Sequence, residues 1–270
     1  MIFKFSKIAK NTTLRYFKIS SLANLYRKKI GMSIYRMSML RIASRISNML
    51  MMFIPIKIFI LISTDSVIFS NLYDKDKLEY DLSLIILFSI LILVFLVSVG
   101  SQYYLPRATS SQMKKLRGIV EKKYNDSVYS RLFISKSYIP MVNFISDLVI
   151  ILISFLIYAF CSIEFTLLQM VFIISLYMLY DYILFTNNRL NILSRLSMTS
   201  TEFVAFSSNS ILLVGFLLVF TVYSYGHIDV NSGVLILMVT RMLSGSLRGY
   251  AYSTIKIDSN LRNLNTSNDS

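Results

Sequence analysis

Long apolar segments are the feature of this sequence that most restricts its fold. Six occur, each about 18 to 23 residues long, at about 46–64, 82–104, 139–160, 165–186, 203–224 and 233–250. A helix of that length crosses ~30 Å of hydrocarbon at ~1.5 Å per residue. Helices of soluble proteins are half polar, whereas Leu84–Val99 is interrupted only by two serines. The sequence therefore predicts an all-α membrane protein with six transmembrane helices.

The basic residues alternate along the chain in a way that predicts its orientation. Residues 1–45 contain eleven Lys or Arg and no acid, and residues 106–138 contain eight. The connection at 63–81 has two Lys against five acids, and the turns at 161–165 and 225–232 have no Lys or Arg. Basic connections stay on the cytoplasmic side, so both termini are predicted to be cytoplasmic. The net charge of +14 thus indicates membrane topology and contact with anionic membrane lipid rather than nucleic acid.

Catalytic chemistry has few residues available in this chain. It contains no GxxxxGK[ST], GxGxxG, HExxH or GxSxG pattern, and therefore no recognisable nucleotide-binding loop or hydrolase motif. Its single cysteine, Cys161, and single histidine, His227, exclude an internal disulfide, a cysteine cluster and a His-rich metal site. We expect no cofactor, no metal site and no enzymatic activity of its own.

Three regions follow from the charge and hydropathy pattern. Residues 1–45 are predicted as a basic region with an interfacial amphipathic helix, and a solvated basic tail is the alternative for its first half. Residues 46–250 form the six-span domain, and residues 251–270 a polar cytoplasmic tail. In the long connection at 105–138, apolar residues recur at helical spacing. We expect the second and third spans to continue into the cytoplasm as helices joined by a short crosswise element near 124–131.

Charged residues inside predicted spans mark candidate sites, because such residues usually face a bundle interior or a polar cavity. Asp147 and Arg248 come to similar depth when counted from their span ends, which predicts that they pair. Arg241 lies nearer mid-membrane without an acid at equal depth, so we expect it to line a polar cavity. Asp181 is a further candidate for the substrate path. Alternatively, Arg248, Lys57 and Asp181 extend toward an interface or lie beyond it and have no role in a path.

The layout of the chain resembles the transmembrane domain of an ABC exporter. A basic entry helix precedes six spans, and the second and third are extended. The closest local likeness is the end of the chain. There the turn "YGHIDVNSG" begins the last apolar helix, which continues as the polar "STIKIDSNLRNLN". Within this helix Gly245 and Gly249 form a GxxxG pattern that permits close helix approach. The resemblance covers about residues 23–263.

This resemblance implies a function. It implies a homo- or heterodimer enclosing a substrate path, powered by a separate nucleotide-binding ATPase subunit. It places Tyr124, Asn125 and Asp126 at the turn that couples to the ATPase, and Arg241 in the path. An anionic or amphiphilic cargo suits arginines in that path. The connection at 187–202 is shorter than in the exporter pattern, which puts a second coupling helix in doubt.

Two other classes of function stay open, for a protein expected in a bacterial inner membrane. A non-transporting membrane scaffold or immunity-type protein would use the six spans to bind a partner, and its intramembrane charges would be paired and dry. A secondary transporter with its own ion coupling is the third class, although intramembrane carboxylates are few and no inverted repeat is visible. Copurification with an ATPase would distinguish the exporter subunit from both.

Overall fold

Six long helices make up most of the described part of the chain. The computed structural model describes residues 19–24, 26–28, 33–68, 74–123, 131–185, 197–226 and 228–268. The helices are α1 (Ser33–Ile68), α2 (Asp74–Lys123), α3 (Arg131–Cys161), α4 (Ile163–Phe185), α5 (Ser200–Ser224) and α6 (Val230–Asn268). Residues 19–24 and 26–28 are also helical, and the described residues contain no strand.

Each of the six helices contains a segment long and apolar enough to cross a membrane. The six apolar windows of the sequence map onto the six helices one by one, with the fourth window extending one residue beyond α4. Because a spanning helix satisfies its own backbone hydrogen bonds, such apolar segments form helices without help from neighbours. The prediction of an all-α, six-helix membrane protein is confirmed at this level.

Two helices continue well past their apolar segments. α2 is 50 residues long and α6 is 39 residues long, which corresponds to about 75 and 58 Å at ~1.5 Å per residue. The expected helical continuation of the second span is therefore present to Lys123, and α3 begins at Arg131. The crosswise element predicted near 124–131 lies almost wholly outside the described residues.

The first span begins earlier than its apolar window indicates. α1 runs without a break from Ser33, through the junction of residues 45 and 46, to Ile68. The segment able to span a membrane is Ser33–Ile60, and it includes basic residues that the sequence assigns to the entry region. Arg41 and Arg45 consequently belong to the helix bundle.

All three prolines of the chain lie inside helices: Pro55 in α1, Pro106 in α2 and Pro140 in α3. Proline in a helix interior removes a backbone donor and costs ~3 kcal/mol in water. Membrane helices tolerate it because neighbouring helices and Ser or Thr side chains satisfy the freed carbonyl.

Local signals define the ends of α5 and α6. Thr199 and Glu202 form a reciprocal capping box at the start of α5, with Thr199 N donating to Glu202 Oε2 at 2.7 Å. In the turn to α6, Gly226 has φ of +75°, a conformation that favours glycine. At the start of α6, Asp229 accepts a hydrogen bond from Ser232, which lowers the pKa of its carboxyl.

The helices pack around α3 and α6, which contact each other most extensively. The largest apolar cluster combines buried residues of α3, α4, α5 and α6, among them Tyr158, Phe165 and Ile211. α2, in contrast, exposes large apolar side chains around much of its circumference, including Ile92 and Leu96. An exposed apolar helix surface of this extent suits contact with lipid.

A second apolar cluster packs the helices together at one end of the bundle. Leu116 of α2, Tyr138 of α3 and Ile257 of α6 are buried there together with Ile34 at the start of α1. Tyr26, from the helical residues ahead of α1, is fully buried against them, and its ring meets Tyr138 edge-on at 5.7 Å. The N-terminal helical residues therefore cover the end of the bundle at which α2 and α6 extend.

Candidate functional site

A buried ion pair joins three helices in the interior of the bundle. Asp147 on α3 is completely buried, and its Oδ1 is paired with Arg45 Nη1 of α1. The same Nη1 donates to Ser246 Oγ of α6 at 3.2 Å. α1, α3 and α6 thus meet at one guanidinium group.

The carboxylate fits against α6 because a glycine stands opposite it. At Gly249, an added Cβ would lie against both carboxylate oxygens of Asp147 and 3.0 Å from its Cγ. Removing one partner of a buried ion pair costs about 3–5 kcal/mol, since it leaves an uncompensated charge. Asp147, Arg45 and Gly249 therefore form one structural unit.

A second arginine makes this unit cationic. Arg41 lies one helical turn before Arg45 on α1, is half-buried, and is within electrostatic reach of Asp147. Its Nε is buried and has no hydrogen-bond acceptor among the described residues. Two guanidinium groups thus share one carboxylate, which leaves a net positive charge in the interior.

Arg45 also lines a cleft between α1 and α6. The cleft has a volume of about 330 Å³. Its lining residues are Arg45, Asn48, Met49 and Met52 of α1 and Met238, Arg241, Met242 and Gly245 of α6. On each helix they follow the spacing i, i+3, i+4, i+7, which places them on one face. The two faces oppose each other, and their described residues supply four thioethers, two guanidinium groups and no carboxylate.

Arg241 is the exposed cation of this cleft. Its Nη1 lies 3.9 Å from Sδ of Met52 on the opposite wall. Within the described part of the chain, no carboxylate pairs with Arg241, whereas Arg45 has Asp147. The sequence predicts that Arg241 lines a polar cavity, and the structure places it in the wall of the cleft.

Asn48 contributes a neutral donor beside the two arginines. Its Oδ1 accepts hydrogen bonds from Ser98 Oγ at 2.7 Å and from Gln102 Nε2 at 3.5 Å, both on α2. An amide oxygen that is engaged in this way fixes the orientation of the amide, because the nitrogen must point elsewhere. Its Nδ2 has no acceptor among the described residues.

The predicted pairing of Asp147 with Arg248 is wrong. Asp147 pairs with Arg45, and Arg248 turns to its own helix. There its Nε donates to Tyr252 Oη at 3.2 Å, and its guanidinium lies 5.4 Å from the ring centroid. Equal depth in the membrane is not sufficient for two residues to pair. Asp147 and Arg248 lie on helix faces that do not meet. Arg248 is not among the residues that line the cleft.

The other predicted site residues lie wholly or partly outside the described residues. Tyr124, Asn125 and Asp126, the predicted coupling turn, lie outside the described residues. The backbone of Asp181 belongs to α4, but its side chain is outside the described set. Among described residues, no three His, Cys, Asp or Glu side chains come together as a potential metal site.

Sequence reasoning missed Arg45, the residue that connects the ion pair to the cleft. The apolar window begins at residue 46, so Arg45 was counted with the basic entry region. The i, i+3, i+4, i+7 spacing of Arg45, Asn48, Met49 and Met52 was a usable signal, and the same spacing recurs in α6. Asn48 lies inside that window but carries no charge, and only charged residues of the spans were considered as candidates.

Comparison with known proteins does not add a family to this description. No family model, no curated protein and no solved structure matches this chain.

Proposed function

We propose that this chain is the membrane-spanning subunit of an ABC-type exporter, which lines the substrate path as a dimer and is powered by a separate ATPase subunit. The observation that carries this proposal is the cationic cleft between α1 and α6, where Arg241 faces open space without a carboxylate partner among described residues. An unpaired charge inside a membrane protein is expensive to keep and usually marks a substrate or ion pathway.

The proposed orientation has both termini in the cytoplasm, in a bacterial inner membrane. The start of α1, the end of α2, the start of α3 and the end of α6 pack at the same end of the bundle. Exposed basic residues lie at this end, including Lys114, Lys115 and Lys136. The clustering of positive charge there supports a cytoplasmic location for this end.

The long helices give the proposed ATPase a place to act. α2 and α6 extend beyond their apolar segments at that same end, by about 28 and 27 Å from residues 104 and 250. Rigid helices of this length transmit a displacement at their tips to the cleft, which α6 lines directly. In this proposal the turn at Tyr124, Asn125 and Asp126 contacts the ATPase.

A non-transporting scaffold is the second candidate. The pairing of Arg45 with fully buried Asp147 favours it, because a scaffold's intramembrane charges are expected to be paired and dry. Arg241 argues against it, because no described carboxylate pairs with this cation, whereas a scaffold's intramembrane charges are expected to be paired.

Copurification tests the proposal. The tagged chain is isolated from host membranes in a mild detergent, and associated proteins are identified by mass spectrometry. We expect an ATPase with a P-loop, and ATP hydrolysis by the complex that falls severalfold in Arg241→Ala. The matched variant Lys57→Ala removes an exposed cation of α1 that does not line the cleft and should hydrolyse ATP normally. Absence of any ATPase, with normal cellular function of Arg241→Ala, would favour the scaffold.

A further inference from the structure

We infer that the cleft between α1 and α6 binds an amphiphile with a phosphate-type anionic head group and an apolar tail. This inference names the ligand class of the proposed path and therefore rests on the proposed function. It is drawn from the chemistry of the eight residues that line the cleft.

The polar part of the lining consists of hydrogen-bond donors. Arg241 and Arg45 contribute guanidinium groups from opposite walls, and Asn48 contributes an amide nitrogen. Among the described residues, no carboxylate lines the cleft, and the only side-chain oxygen in its lining, Asn48 Oδ1, already accepts two hydrogen bonds. A guanidinium matches the oxygens of a phosphate in pairs, which makes it the preferred partner of such groups. The polar part of the ligand is therefore an anion with several oxygens.

Arg45 can contact a ligand without leaving Asp147. Its Nη1 serves both Asp147 and Ser246, and a guanidinium has five N–H donors in all. The side chain remains 27% exposed although its partner is fully buried. Asp147 therefore acts as a positioning residue, which holds the guanidinium at the cleft wall and reduces the entropy that ligand binding would cost.

The apolar part of the lining suits a flexible hydrocarbon tail. Met49, Met52, Met238 and Met242 supply thioethers from both walls. Methionine is unbranched and polarisable, so it adapts to tails of variable shape. Met52 is 50% exposed at the cleft, so a tail can extend from the cleft along the apolar surface of the bundle.

A peptide fits this lining less well than an amphiphile. An extended peptide has one N–H donor per residue, and buried donors without acceptors cost about 1–3 kcal/mol each. The described residues of the cleft offer three donor groups and no free carboxylate or amide oxygen. Its chemistry matches a ligand that carries acceptors at one end and no polar groups at the other.

Binding of a short-chain phosphatidic acid tests the inference. The full chain is purified in a non-ionic detergent, and fluorescence anisotropy follows a fluorescent dioctanoyl phosphatidic acid. Unlabelled competitors are dioctanoyl phosphatidic acid, the matching phosphatidylcholine, inorganic phosphate and an acidic peptide. We expect phosphatidic acid to compete about tenfold better than phosphatidylcholine, because only its head group has net negative charge.

Substitutions of cleft residues test whether the lipid binds in the cleft. Arg241→Gln should weaken binding of phosphatidic acid about tenfold, and Arg241→Lys by less, since it keeps the charge but loses the paired geometry. Arg241 is exposed, so both variants should fold. Lys57→Gln, which removes a cation outside the cleft, should leave binding unchanged. Asp147→Asn should weaken binding while its loss of stability is measured separately by heating.

Four results would overturn the inference. These are unchanged binding by Arg241→Gln, equal competition by the two lipids, stronger competition by the acidic peptide, and inorganic phosphate competing as well as phosphatidic acid, which would remove the tail from the ligand. If phosphatidic acid binds as expected but no ATPase copurifies, the ligand site stands and the transport role fails. If an ATPase copurifies and phosphatidic acid does not bind, the transport role stands and the ligand site fails.

Discussion

At the scale of single residues, Asp147 is the group on which the interior depends. It is completely buried, pairs with Arg45 and lies against Gly249. Two glycines of α6, one helical turn apart, have opposite surroundings. An added Cβ at Gly249 would meet the carboxylate, whereas at Gly245 it would meet nothing within 4 Å. The GxxxG pattern of the sequence therefore has one member that requires glycine.

Substitution by alanine should affect stability differently at the two glycines. Gly249→Ala should destabilise the protein by about 1–3 kcal/mol, because the Asp147 carboxylate cannot move away without leaving Arg45. Gly245→Ala should not destabilise it, since alanine is the better helix former and the space is open. Size-exclusion chromatography after heating in detergent measures the fraction that stays folded. Equal loss in both variants would mean that Asp147 is not held where the ion pair places it.

At the scale of helices, α5 and α6 are held close by small side chains. Thr240 Cγ2 of α6 lies 2.5 Å from the position of a Cβ at Gly215 of α5. Ser244 Oγ donates to the carbonyl oxygen of Ser208 at 2.6 Å, and Tyr158 Oη of α3 donates to Thr240 Oγ1 at 2.9 Å. Small residues at helix contacts allow close approach where no hydrophobic effect drives helices together. α6 is thus fixed against α5 on one side and lines the cleft on another.

A double-mutant cycle tests this contact. Gly215→Ala should destabilise the protein by about 1–3 kcal/mol, because the β-branched Thr240 has little rotamer freedom to move aside. Thr240→Ser removes the methyl group that would clash and keeps the hydroxyl that binds Tyr158. The double variant should therefore be more stable than Gly215→Ala alone. Losses that simply add, measured by the same heating assay, would place the helices farther apart than described here.

At the scale of the whole molecule, the two ends of the bundle differ in charge. The end at which α2 and α6 extend carries exposed lysines, whereas the turn between α5 and α6 carries Asp229 and no Lys or Arg. Positive charge is retained on the cytoplasmic side during insertion. The proposed orientation therefore puts Tyr225, in that turn, outside and Lys115 inside.

Cysteine labelling in intact cells measures this orientation. In a Cys161→Ser background, Tyr225→Cys should react with a membrane-impermeant maleimide, since Tyr225 is 75% exposed. Lys115→Cys is also at an exposed position and should react only after the cells are permeabilised. The reverse pattern would invert the molecule and place the long helices outside, where no ATPase could act on them.

Much of the helical architecture could be predicted from the sequence. Segments such as Leu84–Val99 have no polar alternative to a spanning helix, because the bilayer leaves backbone groups no other partner. The long extension of α2 followed from apolar residues at helical spacing beyond residue 104. Arg241 was found as a cavity residue because its depth leaves it no acid to pair with. These inferences needed only composition, spacing and depth.

Which faces of the helices meet was decided by tertiary structure. Depth along a helix is a one-dimensional quantity that the sequence determines, and it made Arg248 a reasonable partner for Asp147. The rotation of each helix about its axis depends on close contacts with its neighbours, such as Gly249 against Asp147 and Gly215 against Thr240. The sequence alone determined six spanning helices and their charge asymmetry. Only packing decided that Arg45 binds Asp147 and that α1 and α6 enclose a cationic cleft.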